Sequence, residues 1–183
     1  MLVLLFGVSC VGKSTLINEL IDGFGWRYIP TYMTRPLRKD EIGKVSISKS
    51  QFNELKVAGY FVTVNDLFGN LYGTPLREVR EAVNDITSRW ILDFPISRRH
   101  LLDNYPHIGI VVLPESIEQL TEQVRSVGRE ERLTDILEDY NRHYAHYQEQ
   151  HRLQEPRTFV IVNSRNKQTE AATRIQRLVE GTT

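Results

Sequence analysis

The feature that most constrains this chain is a glycine-bounded loop close to its start. Residues 7–15 read GVSCVGKST, which matches the pattern G-x-x-x-x-G-K-[ST] in full. The apolar run Leu2–Phe6 precedes the loop, and an amphipathic pattern over Lys13–Ile21 follows it. A buried strand, a tight glycine turn and a helix in this order are typical of a parallel α/β sheet that binds phosphate at its edge.

The residues of the loop have distinct chemical uses. The glycines let backbone N–H groups turn inward around phosphate oxygens, and the N-terminus of the next helix adds a favourable dipole. Lys13 can reach the β- and γ-phosphates of ATP, and the hydroxyl of Ser14 can coordinate Mg²⁺. Cys10 has no partner base in the sequence and is predicted to pack within the loop. The predicted cofactors are therefore ATP and Mg²⁺, bound by Gly7, Ser9, Val11, Gly12, Lys13, Ser14 and Thr15.

Further apolar runs alternate with helical patterns along the chain. Strands are predicted at Trp26–Ile29, Trp90–Leu92, His107–Leu113 and Thr158–Val162, and helices at 76–86, Glu115–Ser126, 130–152 and Lys167–Val179. This alternation implies a parallel sheet with right-handed crossovers. The predicted fold class is an α/β P-loop NTPase, with three α/β/α layers, a small inserted acceptor-binding subdomain and a helical lid. We predict one domain with a core at 1–30, 75–125 and 150–183, the acceptor-binding subdomain at about 31–74 and the lid at about 126–149.

Composition narrows the function classes. A chain of 183 residues suits one domain, and its 23 basic and 23 acidic residues give no net charge, so no nucleic-acid partner is expected. A single cysteine excludes an internal disulfide and favours a cytoplasmic location. No apolar run approaches 18 residues, so no membrane partner is expected, and the start lacks the basic residues of a signal peptide. A homodimer is compatible with the sequence, but no surface feature indicates one.

Two further features suit phosphate chemistry. Asp93 follows the third predicted strand, where a carboxylate can orient Mg²⁺ through water, although a polar residue can also simply end a strand. Residues 34–38 read TRPLR, and Pro36 favours an extended or turn geometry there. The guanidinium groups of Arg35 and Arg38 suit bidentate binding of a phosphate. From these residues alone, a solvated basic turn is an equal alternative.

Taken in order, these motifs resemble those of guanylate kinases over nearly the whole chain. That family carries a phosphate loop, T-R-x-P-R-like residues, G-x-D-Y, F-x-E, G-x-Y-Y-G-[ST], I-L-D-x-D, an arginine-bearing lid and a late V-N. This chain has TRPLR, EIGKVSIS at 41–48, GYFVTVNDLFGNLYGTP at 59–75, WILDFP at 90–95, GREERLTDILEDYNRHY at 128–144 and VIVN at 160–163. Many families share the loop alone, whereas the ordered set is specific to this one.

The resemblance implies a phosphotransferase that moves the γ-phosphoryl group of MgATP to a phosphate-bearing acceptor, most simply a nucleoside monophosphate. It implies that Arg35, Arg38 and Tyr72 hold the acceptor phosphate, that a lid carries Arg129 and Arg142, and that Asn163 lies near adenine. The implied catalytic residues are Lys13, Arg35, Arg38, Arg129 and Arg142. The implied acceptor-binding residues are Thr31, Arg35, Arg38, Ser46, Thr63, Tyr72, Thr74 and Asp93, and the implied metal-binding residues are Ser14 and Asp93.

The chain departs from the family where the base of the acceptor is read. The family binds guanine, whose N1–H and N2 amino groups both donate, with carboxylates. The acid of F-x-E falls at Thr63 here, and the second acid of I-L-D-x-D falls at Pro95. The tyrosine of G-x-D-Y, which holds the acceptor phosphate in the family, falls at Ser46. The serine near the base falls at or beside Thr31. A buried donor without its acceptor costs about 1–3 kcal/mol, so the loss of two carboxylates would weaken the selection of guanine. The phosphate-binding residues are retained, whereas base selection is changed.

Two alternatives stay open from the sequence. Ribose 1,5-bisphosphate kinases look like guanylate kinases without base recognition, and their Y-x-T-R and S-R-x-H-L stretches are similar to residues 32–35 and 97–101 here. That acceptor is a sugar phosphate. The other alternative is a non-catalytic binding module with the same fold, although such modules typically lose the phosphate loop that this chain keeps.

Overall fold

The computed structural model describes residues 1–38, 41–67, 69–145, 147 and 157–182. The strands in these ranges are β1 (Leu2–Phe6), β2 (Arg27–Tyr28), β3 (Thr31–Met33), β4 (Lys44–Ser46), β5 (Phe61–Leu67), β6 (Asn70–Pro75), β7 (Trp90–Asp93), β8 (His107–Pro114) and β9 (Thr158–Asn163). The helices are α1 (Lys13–Phe24), α2 (Lys49–Val57), α3 (Leu76–Asn84), α4 (Ile117–Ser126), α5 (Leu133–His143) and α6 (Gln168–Glu180), with 3₁₀ turns at Ile96–Leu102 and Glu130–Arg132.

A five-stranded parallel sheet forms the core, in the order β2-β7-β1-β8-β9. Every residue of β1 is buried, as expected for a central strand that is covered on both faces. Helices α1 and α6 pack together, α3 packs against β1, and α4 packs against β8. The predicted α/β fold class with a parallel sheet is confirmed. Because all five strands point the same way, β1 and β7 end at one edge, where the glycine loop and Asp93 lie.

A second, four-stranded sheet lies within the predicted acceptor-binding subdomain, in the order β4-β3-β6-β5. Strands β3 and β4 are parallel, whereas β6 is antiparallel to both β3 and β5. One face packs on an aromatic cluster formed by Tyr32, Phe52, Tyr60 and Phe61. In the sequence, residues 31–74 are polar and irregular, and only Tyr60–Val64 forms a β-like run. Strands β3 and β4 have three residues each, which is too short to show a period.

The predicted lid helix is only partly covered by the described residues. The pattern over 130–152 predicted one long helix, but the described residues form the 3₁₀ turn Glu130–Arg132 and then α5, while residues 146 and 148–156 lie outside the described part. The apolar stripe is confirmed: Ile136, Tyr140, Tyr144 and Tyr147 are buried, and Leu133 and Leu137 pack against the core. None of the described helices is long and apolar enough to cross a membrane.

Candidate active site

A cleft of about 640 Å³ opens where the carboxyl ends of β1 and β7 face the smaller sheet and α5. Fourteen of the predicted site residues line it: Gly7, Ser9, Gly12, Lys13, Ser14, Thr15, Thr31, Arg35, Arg38, Tyr72, Thr74, Asp93, Arg129 and Asn163. Four predicted residues do not line it: Val11, Ser46, Thr63 and Arg142. The fold therefore gathers most of the predicted phosphate-binding groups around one cavity of the size that ligand sites have.

The glycine loop is shaped by one residue in particular. Gly12 precedes α1 with φ at +95°, a conformation that a side chain would strain. Within this turn, Lys13 Nζ donates to the carbonyl oxygens of Gly7 at 2.6 Å and Val8 at 3.1 Å. No side chain caps the first turn of α1, so its N–H groups stay available to a phosphate oxygen.

Asn163 fastens the loop from the end of β9. Its side chain is buried, and Nδ2 donates to the carbonyl oxygen of Val11 at 2.8 Å. The same amide lies against Gly12, where an added Cβ would collide with it. The backbone carbonyl of Asn163 in turn accepts a hydrogen bond from Gln119 at 3.1 Å. Asn163 therefore holds the outer half of the loop in place from within the core.

Asp93 lies between two lysines at the floor of the cleft. Its carboxylate oxygens are 3.9 Å from Lys13 Nζ and 3.9 Å from Lys44 Nζ. Lys44 also donates to the Tyr28 hydroxyl at 2.7 Å and to Thr31 Oγ1 at 3.3 Å. Burial opposes the charge of Lys44, yet Tyr28 and Asp93 outweigh it and raise the pKa of Lys44 above its ordinary value. Lys44 is therefore a charged ammonium inside the cleft at neutral pH.

Arg35 is locked into one orientation. Both of its terminal nitrogens donate to the carboxylate of Glu41, and its Nε donates to the Tyr72 hydroxyl at 3.1 Å. Ser46 supports it from behind, because its hydroxyl donates to the Arg35 carbonyl oxygen at 2.8 Å. Burial opposes ionisation of Glu41, but the hydrogen bonds from Arg35 and from the Arg38 backbone outweigh it and lower the pKa of Glu41. Nη1 also donates to the Pro36 carbonyl oxygen at 2.8 Å, so one N–H of this fixed guanidinium, on Nη2, has no hydrogen-bond partner among the described residues.

Arg38 and Arg129 bring further positive charge to the same place. Burial, followed by the charges of Arg129 and Arg35, lowers the pKa of Arg38 below its ordinary value. Arg129 Nη1 lies 3.5 Å from Cys10 Sγ, so it connects the predicted lid segment to the glycine loop. Three guanidinium groups crowded in this way repel one another, and an anion between them would relieve the repulsion.

Four predicted residues take other places. Thr63 is buried within β5, Ser46 is exposed behind Arg35, and Val11 contributes its backbone carbonyl to Asn163. Arg142 is exposed on α5, on the side opposite the buried stripe. Asp135 and Asp139 of that helix line the cleft instead, because the helical period brings them beside Ile136.

Sequence reasoning did not predict Lys44, Glu41 or Asn65, all of which line the cleft. Glu41 had an available signal, since it stands three residues after Arg38 in a basic turn. Asn65 stands two residues after Thr63, and the two-residue period of a strand places both on one face. No sequence pattern indicated that Lys44 belongs to the site, because its burial depends on the pairing of β4 with β3, which the sequence did not reveal.

Comparisons with known proteins agree with one another. A family model described as guanylate kinase matches residues 1–181. The chain is similar to the guanylate kinase of Symbiobacterium thermophilum, 32% identical over 139 residues, and to that of a Nostoc species, 34% identical over 138 residues. These alignments cover 71% and 70% of this chain, and the chain spans 64% and 67% of those relatives. A solved guanylate kinase from Anaplasma phagocytophilum shares the fold at 20% identity, with a TM-score of 0.71 over 100% of this chain and 85% of its own.

Proposed function

The chain belongs to the guanylate kinase family, and on that premise we propose that it is an ATP-dependent nucleoside monophosphate kinase, with GMP as the first acceptor to test. The observation that carries the proposal is that the glycine loop and the arginine cluster open on one cleft. A donor phosphate on the loop and an acceptor phosphate on the arginines would then lie within reach of each other. Positioning and electrostatics supply most of the catalysis in such transfers.

The donor side fits MgATP. The loop offers backbone N–H groups at the uncapped start of α1, and Lys13 can exchange its carbonyl partners for the β- and γ-phosphates. Ser14 and Asp93 offer the hard oxygen ligands that Mg²⁺ prefers, and this ion usually takes only one or two protein ligands beside phosphates and water. When bound, MgATP supplies the phosphoryl group and neutralises part of its charge.

The acceptor side fits a phosphate monoester. Arg35 is held by Glu41 and Tyr72, so its orientation is set before a ligand arrives. Arg38 provides a second guanidinium close by, and Tyr72 provides a hydroxyl. Pre-set donors lose little entropy on binding, which favours a tight and well-oriented acceptor.

The lid joins the two sides. Arg129 stands near both Arg38 and Cys10 of the glycine loop, which is where the transferring phosphoryl group would pass. A guanidinium at that point would stabilise charge on the three equatorial oxygens of the transition state. Closure of the lid would also exclude water and so suppress hydrolysis of ATP. We assign no such role to Arg142, which is exposed and does not line the cleft.

The experiment is a coupled ADP-release assay with MgATP and a panel of acceptors: GMP, dGMP, AMP, CMP, UMP, dTMP and ribose 1,5-bisphosphate. We expect turnover with a purine nucleoside monophosphate. Turnover of ribose 1,5-bisphosphate alone would overturn the proposal in favour of a sugar-phosphate kinase. Binding of ATP without any transfer would overturn it in favour of a non-catalytic module.

No observation favours either alternative. The phosphate loop is intact, unlike that of a typical binding module. The run at 97–101 lies in a 3₁₀ turn, where Ser97 lines the cleft but Arg98 and His100 are exposed. A cytoplasmic location and a homodimer stay predictions from the sequence.

A further inference from the structure

Lys44 is a charged side chain of the cleft to which the proposed phosphoryl transfer assigns no role. Two of its three N–H donors have hydrogen-bond partners among the described residues, the Tyr28 hydroxyl and Thr31 Oγ1. Asp93 Oδ2 is 3.9 Å away, which is an ion pair but beyond hydrogen-bond distance. The side chain is 15% exposed and lines the cleft. Lys44 can therefore donate one more hydrogen bond, to a ligand.

Lys44 stands at one end of a row of polar side chains that crosses the smaller sheet. In the register of the sheet, Lys44 pairs with Thr31, and Thr74 pairs with Thr63. Strands β3 and β6 are antiparallel neighbours, and their pairing brings Thr31 opposite Thr74. The row thus reads Lys44, Thr31, Thr74, Thr63 from β4 to β5, and all three threonines are buried.

Asn65 extends this polar row along β5, the edge strand of the sheet. It follows Thr63 by two positions on the same face of β5, is 7% exposed and lines the cleft. Its Oδ1 is a buried atom without a hydrogen-bond partner in the described part of the chain. Native proteins rarely leave such an atom unpaired, so a cleft ligand that supplies the missing partner is expected here.

The five residues of the polar row include no carboxylate. Of the carboxylates that line the cleft, Glu41 is engaged by Arg35, Asp93 lies between two lysines, and Asp135 and Asp139 belong to α5 rather than to the sheet. The row therefore offers an obligatory donor at Lys44, hydroxyls that can donate or accept, and an amide at Asn65. The Lys44 ammonium can only donate, so it can bind an oxo group, which accepts, but not an amino group, which also donates.

We propose that Lys44 is a specificity-determining residue that donates to the oxo group of the acceptor base, while the neutral residues of the polar row meet the ring N–H beside it. This inference rests on the proposed kinase function. The ligand class is a nucleoside monophosphate whose purine carries a 6-oxo group, as guanine and hypoxanthine do and adenine does not. The polar row offers no carboxylate to the exocyclic amino group of guanine, so that group adds little to selection.

The first test needs no variant and compares kcat/KM of the wild-type chain for GMP, IMP and AMP. We expect GMP and IMP to lie within about tenfold of each other, since only a neutral contact to the amino group distinguishes them. The kcat/KM for AMP should be at least about 100-fold lower than that for GMP. Adenine has an amino group where guanine has an oxo group, so its hydrogen-bond donors and acceptors do not match the site. A preference of GMP over IMP above about 100-fold would overturn the inference, because it requires a strong reader of the amino group.

The second test uses Lys44→Met, with Lys49→Met as the matched control. Lys49 is an exposed lysine at the start of α2. Lys44→Met should lower kcat/KM for GMP and IMP by about 10- to 100-fold, mainly through KM, and should narrow the GMP to AMP ratio. The KM for ATP should stay within about threefold, and Lys49→Met should match the wild type. Lys44→Gln, which keeps an N–H donor without the charge, should restore part of the preference for GMP.

Other outcomes decide the question as clearly. Equal losses on GMP and AMP in Lys44→Met would mean that Lys44 only supports Tyr28 and Asp93, and would overturn the specificity role. If Lys44→Met does not fold, the wild-type ratios and Lys44→Gln still test the inference. Absence of turnover with every nucleotide, in wild-type protein that binds ATP, would overturn the kinase function itself and this inference with it.

Discussion

At the scale of single residues, the ammonium of Lys13 has the most direct link to chemistry. It is held by two loop carbonyls and lies 3.9 Å from Asp93, at the place where a γ-phosphate would gather charge. Lys13→Ala should lower kcat by at least about 100-fold, since one electrostatic donor at a transition state is worth that much. Steady-state kinetics at saturating MgATP and acceptor would measure it, with Lys56→Ala as an exposed control. A kcat within tenfold of the wild type would contradict the assignment.

Arg38 gives a second residue-level prediction, because its pKa is lowered by burial and by its arginine neighbours. An acceptor phosphate would relieve that repulsion, so Arg38→Ala should raise the acceptor KM by about tenfold or more. The KM for ATP should change by less than about threefold. Arg98→Ala removes the same charge from an exposed position and should have no effect on either constant. Equal losses for acceptor and ATP would refute the acceptor role.

The position of a site residue was predictable where a sequence motif determines both the residue type and the backbone conformation around it. The loop positions and Asp93 lie where the pattern places them, because strand, turn and helix are adjacent in sequence. Arg142 shows the opposite case. A position opposite the apolar stripe leaves a side chain free, but it does not say that the free side faces the cleft. Lys44 could not be predicted, since its neighbours come from β2, β3 and β7.

At the scale of elements, the start of α1 depends on glycine at position 12. Gly12 and Gly25 both have positive φ at the two ends of this helix, but only Gly12 faces a neighbour, the Asn163 amide. Gly25→Ala should cost about 1–2 kcal/mol of unfolding free energy from backbone strain alone. Gly12→Ala should cost at least about 1 kcal/mol more, because the added Cβ collides with Asn163. Denaturant unfolding of both variants would measure the difference.

A double-mutant cycle identifies the cause of that difference. In Gly12→Ala/Asn163→Ala the collision is absent, so the double variant should lose less stability than the sum of the two single variants. Additive losses would mean that the Asn163 contact does not limit the turn. Equal costs for Gly12→Ala and Gly25→Ala would lead to the same conclusion.

Strands and helices were easier to predict when their residues formed a clear hydrophobic run or period. The core strands β1, β7, β8 and β9 were predicted to within one residue, because strands covered on both faces read as unbroken apolar runs. Strands β3 and β4 have three residues each and carry no period, so the smaller sheet was mostly missed. The pattern over 130–152 predicted the helix that is described at Leu133–His143, but not the 3₁₀ turn Glu130–Arg132 before it.

At the scale of the whole molecule, zero net charge conceals a local excess of positive charge. The 23 basic and 23 acidic residues cancel, yet the described lining of the cleft has more cations than carboxylates: Lys13, Arg35, Arg38, Lys44, Arg129 and Arg132 against Glu41, Asp93, Asp135 and Asp139. Because the charges of the whole chain balance, composition alone does not reveal this excess. Its location required the fold, because these cations come from the glycine loop, the turn after β3, strand β4 and the segment around the 3₁₀ turn Glu130–Arg132.

Global stability should also respond to pH through His107, which begins β8 in the central sheet. Burial lowers its pKa below the ordinary value of 6.5, although its Nδ1 lies 2.7 Å from the Tyr105 carbonyl oxygen. The unfolded chain then binds a proton more readily than the folded one as pH falls through about 6.5. The contribution of His107 to stability is therefore fully present above that value, declines below it, and stops changing below the folded pKa.

Urea unfolding between pH 7.5 and 5 should accordingly show a falling free energy of unfolding in the wild-type chain. His107→Gln should reduce the dependence of the free energy of unfolding on pH, because the group that titrates is gone. His100→Gln, at an exposed position, should leave this dependence unchanged. Glu41 cannot account for the fall, since its lowered pKa shifts its contribution to more acidic solution. An unchanged slope in His107→Gln would show that the central sheet tolerates a charged imidazole at the start of β8, and the burial argument would be wrong.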